Sequence, residues 1–349
     1  MRKATKAVSE RTGRRATLRD IAANAGVHVS TASRVLNGDP RGDISTETAE
    51  RVRAVAKALH YRPNPVARSL RLQRAGAVGL LIPDLTHPTY AALVRGAFRE
   101  AEQRGVVILI AEVPDDNLVV GLRRLIDDQR IDGLLVATAV DDSSYEARFR
   151  SEDLPVVYVN RRPPGMPTVT VNDEAGAAEA LRAIFDCGHR RIGIITGAPG
   201  VDTSRRRLHG FRQEARKLGL APPMESCGDY TATGGASALT RLMSQANAPT
   251  AIFASNLMSG IGALSRAVTH GIRVPDDLSL VVFDDAEIAE YTVPPLTRIK
   301  MPFDEMGALA VRSLLSVLDG HPAQDVMVTT PPRLIRGESL GVPGVSRDD

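Results

Sequence analysis

From Ala77 onward the chain alternates short apolar runs with amphipathic stretches. AVGLLIP, a helical stretch over 90–104, VVILIAEV, a second over 118–129, DGLLVAT and LPVVYVN follow one another in that order. The rhythm continues through TVTVN, a helix over 174–187, RRIGIITG, a helix around 204–218, AIFAS, a helix ending at His270, and LSLVVFD. Such alternation predicts βαβ units, because parallel strands need a crossover, usually a helix, to return to the same end of a sheet. The number of repeats predicts two parallel-sheet subdomains, with a ligand cleft beyond the carboxyl ends of their strands. The longest apolar runs are strand-sized, far short of the roughly 20 residues that span a bilayer, so no membrane segment is expected.

Residues 1–74 read differently. They hold 16 Lys and Arg against 6 Asp and Glu, whereas the remainder holds 28 against 35, so the formal charge of +3 divides into +10 and −7. A small basic module joined to an acidic body suggests a polyanionic partner. Three short helices are expected, over Leu18–Ala25, about Val29–Asn37 and 46–59, with Asp39-Pro40-Arg41-Gly42-Asp43 as a turn. Gly26 sits where the chain must turn sharply, and Ile21, Ala25, Val27 and Val35 are spaced so that two crossed helices share a core. That is a helix-turn-helix pattern, although the spacing by itself fits an ordinary helical hairpin equally well. Beyond it, Asn64 can cap a helix that begins at Pro65. A helix this short is marginal in water, so the segment is either a hinge that orders on docking or a flexible linker. The first 16 residues are basic and polar without the apolar stretch of a secretory signal, which predicts a cytoplasmic protein. Cys187 and Cys227 lie far apart with no CxxC or His cluster, so neither a disulfide framework nor a metal or cofactor site is expected.

Four segments run in an order that carries a family resemblance: Thr17-Leu18-Arg19-Asp20-Ile21-Ala22, Gly26-Val27, Ser33-Arg34-Val35-Leu36-Asn37, and the stretch from Tyr61 to Leu70, YRPNPVARSL. With IPDLTHPTY, RRIGIIT, RRRLHGF, RVPDDLSLVVFDD and PPLTRIKMPFDEMG in the body, the chain over 17–338 resembles the LacI/GalR family of transcriptional regulators. The resemblance implies an N-terminal all-α helix-turn-helix head with a hinge helix, and an α/β body of two parallel-sheet lobes similar to periplasmic binding proteins. It sets a tail at 1–16, the head at 17–62, the hinge at 63–76, the body at 77–341 and a tail at 342–349. Within the body, one lobe is placed at about 77–160 and 292–328, the other at 161–291 and 329–341.

The same resemblance implies double-stranded DNA as a partner, with a near-palindromic operator gripped by a homodimer. Val29, Ser30 and Arg34 would face base edges in the major groove, where arginine can pair bidentately with guanine. Thr17, the Leu18 backbone amide, Thr31, Ser33, Asn37 and Tyr61 would hold phosphates. Asn64 would cap the hinge helix, and Ala67 and Leu70 would enter the minor groove, Leu70 as a wedge that kinks the duplex. Two departures stand in the head, His28 where the family has a capping Ser and Ala32 where it has a bulkier Val. His28 reads here as a poorer cap or a solvated side chain rather than a phosphate contact. No heptad pattern follows residue 340, which points to a dimer rather than a tetramer.

For the body, the resemblance implies a small-molecule effector, a sugar, sugar acid or related metabolite, held by Tyr90, Asn160, Arg161, Arg207, Tyr230, Leu257 and Asp284. Arg207 can fork onto a carboxylate or paired hydroxyls, and the tyrosines either flank a ring or simply pack in the core. Ser255-Asn256-Leu257 lacks the Asp that commonly binds sugar hydroxyls in this family, and the chain has no Trp. Arg161 and Arg207 therefore hint at an anionic effector. No enzyme is expected: Gly260-Ile261-Gly262 lacks the third glycine and acidic residue of a dinucleotide site, and Gly197-Ala198-Pro199-Gly200 lacks the Lys-Ser/Thr of a phosphate loop. Asp284-Asp285 reads as a turn at a strand end. A solute-binding protein, or a carbohydrate-active enzyme with a fused basic head, is the alternative.

Overall fold

The computed structural model describes residues 16–37, 44–61, 74–112, 130–138 and 154–344. The turn at 39–43, the hinge residues Asn64, Ala67 and Leu70 and the helix expected over 118–129 lie outside the described residues. The chain divides into two compact units, Met1–Arg74 and Ala75–Asp349.

In the first unit, α1 (Leu18–Ala25), α2 (Val29–Asn37) and α3 (Thr46–Ala58) surround a small core of Ile21, Ala22, Ala25, Ala32, Val35, Val52 and Ala56. A capping box starts α1: the Asp20 amide donates to Thr17 Oγ1 at 3.3 Å, and the Thr17 amide donates to Asp20 Oδ2 at 2.8 Å. Gly26, at φ 63°, ends it in the left-handed conformation, where its N–H reaches the carbonyls of Ala22 and Ala23. This tight cap leaves only a short turn before α2. Ala32 is fully buried, so its small side chain sits inside the three-helix core. Arg51 Nε donates to the Ala25 carbonyl at 3.0 Å, tying α3 to the end of α1.

Among the described residues, the second unit holds two six-stranded sheets. The first is built from β1 (Ala77–Ile82), β2 (Val107–Glu112), β3 (Gly133–Val136), β4 (Val156–Val159), β5 (Thr168–Thr170) and β11 (Val326–Met327), in the order β11-β5-β4-β3-β1-β2. The second contains β6 (Ile192–Thr196), β7 (Met224–Cys227), β8 (Ala251–Ala254), β9 (Ser279–Phe283), β10 (Thr297–Lys300) and β12 (Arg333–Ile335), in the order β12-β10-β9-β8-β6-β7. Among the described residues, all strand pairs are parallel except β10 with β12. Most central strands are buried along their whole length, as strands covered on both faces must be. Helices α4 (Pro88–Gln103) and α9 (Phe303–Leu318) pack together on the first sheet. On the second lie α5 (Asp173–Asp186) with α6 (Asp202–Lys217), and α7 (Ala232–Met243) with α8 (Leu257–Thr269).

The two parallel-sheet lobes expected from the sequence are present, but the crossovers lie further along the chain than placed there. Thr168–Thr170 belongs to the first sheet, where Tyr158 pairs with Thr168, and Thr297–Lys300 belongs to the second, where Thr297 pairs with Val281. The first two crossovers therefore fall at about 171–172 and 301–302 rather than at 160 and 291. Three- and four-residue strands are too short to show a side-chain period, and their sheet is decided by backbone pairing alone.

Close helix contact in the first lobe depends on glycine. A Cβ at Gly96 would overlap the Asp304 carbonyl, and one at Gly307 would overlap that of Leu93. Gly96→Ala is expected to destabilise the body by about 1–3 kcal/mol, the usual range for overpacking. Denaturant unfolding of the full chain checks this, with Gly105→Ala as a control for the local cost of a left-handed glycine with open space around its Cβ position.

Candidate functional site

The chemistry of the body converges where strands end. Asn160 directly follows β4 and Asp284 directly follows β9, at φ 59° and 79°, and Tyr230 follows β7 at φ 70°. Non-glycine residues in the left-handed region cost free energy and persist only where surrounding contacts hold them. Here they end the strands sharply and turn their side chains toward the junction of the two lobes.

At the centre is a buried ion cluster. Asp173, the first residue of α5, accepts from Arg207 Nε at 2.8 Å through one oxygen and from Arg206 Nη2 at 2.6 Å through the other. Arg206 also pairs with Asp202 and reaches Asn160 Oδ1 at 3.3 Å. Arg207 Nη1 donates to the Ser255 carbonyl at 2.6 Å, and Nη2 lies 3.8 Å from Asp284 Oδ1. Its guanidinium carbon sits 3.8 Å over the Phe283 ring, which continues an aromatic column through Phe253 to Phe211. Burial alone would raise the Asp173 carboxyl, but Arg207 and Arg206 outweigh it and hold that group below the ordinary aspartate range. Burial likewise pulls the Arg207 guanidinium down, and Asp173 and Asp284 push it above its usual value.

Among the described residues, four polar contacts join the lobes around this cluster. Thr89 Oγ1 donates to Asp284 Oδ2 at 2.8 Å, His87 Nε2 meets Asn256 Nδ2 at 3.1 Å, Arg161 Nη1 reaches Thr203 Oγ1 at 3.5 Å, and Asn160 meets Arg206. Tyr90 packs its ring edge-on to His87 at 5.7 Å, and the Tyr230 hydroxyl lies 3.3 Å from Thr203 Oγ1. Among the described residues, the buried side-chain atoms without a hydrogen-bond partner are His87 Nδ1, Arg161 Nε, Ser255 Oγ and Asp284 Oδ1. All four belong to residues at this junction. Buried polar atoms left unpaired cost about 1–3 kcal/mol each, so their concentration in one place marks a site built to be satisfied by something else.

The structure thus brings together Tyr90, Asn160, Arg161, Arg207, Tyr230 and Asp284. Leu257 does not join them: its side chain is fully buried in the apolar cluster of the second lobe, and Asn256 faces the junction instead. His87, Thr89, Asp173, Thr203, Arg206, Ser255 and Asn256 escaped the sequence reading. Asp173 lies just before the helix expected over 174–187, and nothing local separates Arg206 and Arg207, which are buried, from the exposed Arg205.

In the head, Ser30 and Arg34 are exposed on α2 while Ala32 and Val35 face inward; Val29, Thr31 and Ser33 are half-buried. The Thr17 hydroxyl is engaged in the cap with Asp20, and Leu18 and Tyr61 pack against the core. His28 is exposed, and its ring caps α2. Its Nδ1 accepts from the Ser30 amide at 3.3 Å and lies 2.8 Å from Ser30 Oγ, so the imidazole serves α2 as a serine oxygen would.

Residues 17–64 match the model of the lacI family of bacterial regulatory proteins, and residues 181–340 match that of a periplasmic binding protein-like domain. The ribose operon repressor of Escherichia coli (strain K12) is 33% identical over 306 residues, covering 86% of this chain and 92% of that protein. The chain belongs to the LacI family. Among solved structures, the lac repressor dimer bound to operator and the anti-inducer ONPF is similar at 26% identity and a TM-score of 0.77, covering 93% of this chain and 99% of that one. A complex of the transcriptional regulator CelR with cellobiose gives 29% identity and a TM-score of 0.71, covering 93% and 100%. This LacI-family member is accordingly a DNA-binding transcriptional regulator whose action a small molecule modulates, and not an enzyme.

Removing the Arg207 guanidinium leaves two buried carboxylates short of a partner. Arg207→Met is expected to cost about 3–5 kcal/mol near neutral pH. Because Asp173 is depressed only in the folded state, its stabilising contribution is present above the ordinary aspartate value and lost as pH falls below it. The variant's penalty should therefore shrink toward about pH 4 as the Asp173 carboxyl takes up a proton. Unfolding curves across that range check this; a penalty independent of pH contradicts it.

Proposed function

We propose that this chain represses transcription in the cytoplasm as a homodimer on a near-palindromic operator, and that its effector is a neutral polyhydroxylated compound of the sugar class. The observation that carries the effector reading is the set of four buried polar atoms without a hydrogen bond at the lobe junction, two of nitrogen and two of oxygen. Ring ethers and hydroxyls offer the acceptors and donors that such a set requires. Arg206 and Arg207 offer an anion little, since their positive charges already face Asp173, Asp202 and Asp284. The relatives agree in kind: one is named for a ribose operon and another is solved with cellobiose.

In this reading the effector is held by Tyr90, Asn160, Arg161, Arg207, Tyr230 and Asp284. Val29, Ser30 and Arg34 read bases, while Thr17, Leu18, Thr31, Ser33, Asn37 and Tyr61 hold phosphates. Asn64, Ala67 and Leu70 form the hinge that enters the minor groove. The head spans 17–62 and the hinge 63–76. Effector bound at the junction favours one lobe arrangement and shifts operator affinity by a coupling of about 1–3 kcal/mol.

The test is a genome-wide footprint of the purified protein, followed by titration of the recovered fragment with and without a panel of sugars and sugar acids. A specific site is expected whose affinity at least one neutral sugar changes about 5-fold or more. Arg34→Ala should lose about 1–3 kcal/mol of specific binding and relax the base preference at one position of each half-site. Leu70→Ala should weaken specific binding far more than nonspecific binding at matched salt. No preference for any genomic fragment over random DNA overturns the operator reading, and a response confined to acids overturns the neutral-effector reading.

A further inference from the structure

His87 ends the first-lobe loop that leads into α4, and its ring faces the second lobe. The Asn256 amide opposite it has a fixed orientation. Asn256 Oδ1 accepts the Ser259 N–H at 2.9 Å as the cap of α8, and Nδ2 donates to the Tyr230 carbonyl at 2.9 Å. What Asn256 presents to His87 at 3.1 Å is therefore an N–H, and the His87 Nε2 that receives it must carry a lone pair. In the neutral ring the proton then sits on Nδ1. Nδ1 is buried and has no partner. The charged groups that act on the ring are Asp284, Asp84 and Arg207; burial, reinforced by Arg207 and opposed by the two carboxylates, keeps the imidazole below its ordinary pKa and so neutral near pH 7.

We propose that His87 is a specificity-determining residue of the effector site, presenting a tautomer-locked Nδ1–H donor to an acceptor oxygen of the ligand while Asp284 Oδ1 accepts from a ligand hydroxyl. The proposal rests on the reading of the lobe junction as the effector site. The lock crosses the lobes, since His87 belongs to the first and Asn256 to the second. When the lobes part, Nε2 loses its donor and the ring is free to exchange tautomers. A ligand that requires an Nδ1–H donor is thus matched best in the lobe arrangement described here, which gives it the differential affinity that any allosteric effector must have. His87 in this way ties what is recognised to which arrangement recognises it.

Two measurements on the full chain decide this. The first is the ring spectrum of 15N-histidine-labelled protein at about pH 8, above the ordinary histidine pKa, with the His87 signals assigned by their absence from His87→Phe. A proton on Nδ1 is expected, and Asn256→Asp, which offers an acceptor in place of the N–H, should move protonation to Nε2. Protonation at Nε2 in the unsubstituted protein, or an averaged mixture, overturns the lock. The second is a thermal-shift and calorimetry panel of pentoses, hexoses, disaccharides and pentitols. Compounds that bind the unsubstituted protein should lose at least tenfold in affinity with His87→Phe and regain part of it with His87→Asn, whose amide nitrogen stands near Nδ1. Equal affinity in His87→Phe overturns the donor role. If no compound in the panel binds, the effector-site reading and the ligand half of this proposal fail together, while the ring spectrum still decides the lock by itself.

Discussion

The arrangement of the lobe junction depends on one carboxylate, that of Asp173, gripped from both sides by Arg206 and Arg207. It is the first residue of α5, and its side chain is wholly enclosed. A charge in that position is tolerated only because two guanidiniums neutralise it, and they in turn are tolerated because Asp202 and Asp284 lie beside them. Such a cluster is a poor source of stability compared with an apolar core of equal volume. Its consequence is positional: it holds Arg207 flat over Phe283 with one Nη on the Ser255 carbonyl and the other toward Asp284, leaving little freedom to the groups that face the other lobe.

From that anchor the rest of the site follows by geometry. Asn160 and Asp284 turn in the left-handed region immediately after their strands, so that side chains from both sheets meet at the strand ends instead of continuing along them. Beside an apolar cluster that continues through both lobes, the hydrogen bonds described across the junction are a threonine on a carboxylate, a histidine on an amide and two arginines on neutral oxygens. A polar seam of this kind gains little from burial and is readily replaced by contacts to a hydroxylated ligand, which is what a regulator needs from two lobes that must change their relation.

Much of this was legible in the amino-acid sequence, and the exceptions share a cause. The helices of the head announced themselves by the spacing of Ile21, Ala25, Val27 and Val35 and by the turn at Gly26, and the central strands by apolar runs bounded by turns. Asn160, Arg207, Tyr230 and Asp284 were reached through the family resemblance. What local reading missed depends on pairing between distant segments: Thr168–Thr170 and Thr297–Lys300 reveal their sheet only through backbone partners, and Asp173 is unremarkable until Arg206 and Arg207 arrive from α6. Leu257 was placed in the site because it replaces a polar residue of the family, yet an apolar side chain there joins the core, and its neighbour Asn256 turns toward the junction. His28 was underrated for a related reason. Imidazoles are seldom credited as helix caps, although Nδ1 has the lone pair that the Ser30 amide needs.

The central claim is that the polar junction of the two lobes is where a small molecule acts on operator affinity. Hydrogen exchange of the full chain tests it most directly, measured with and without a compound that alters operator binding in solution. Slowed exchange should appear together in the segments carrying His87 to Tyr90, Asn160 and Arg161, Ser255 and Asn256, and Asp284, which belong to both lobes. Protection confined to one lobe, or centred on the surface groove lined by Arg162, Met166 and Met327 and enclosing about 670 Å³, would contradict it.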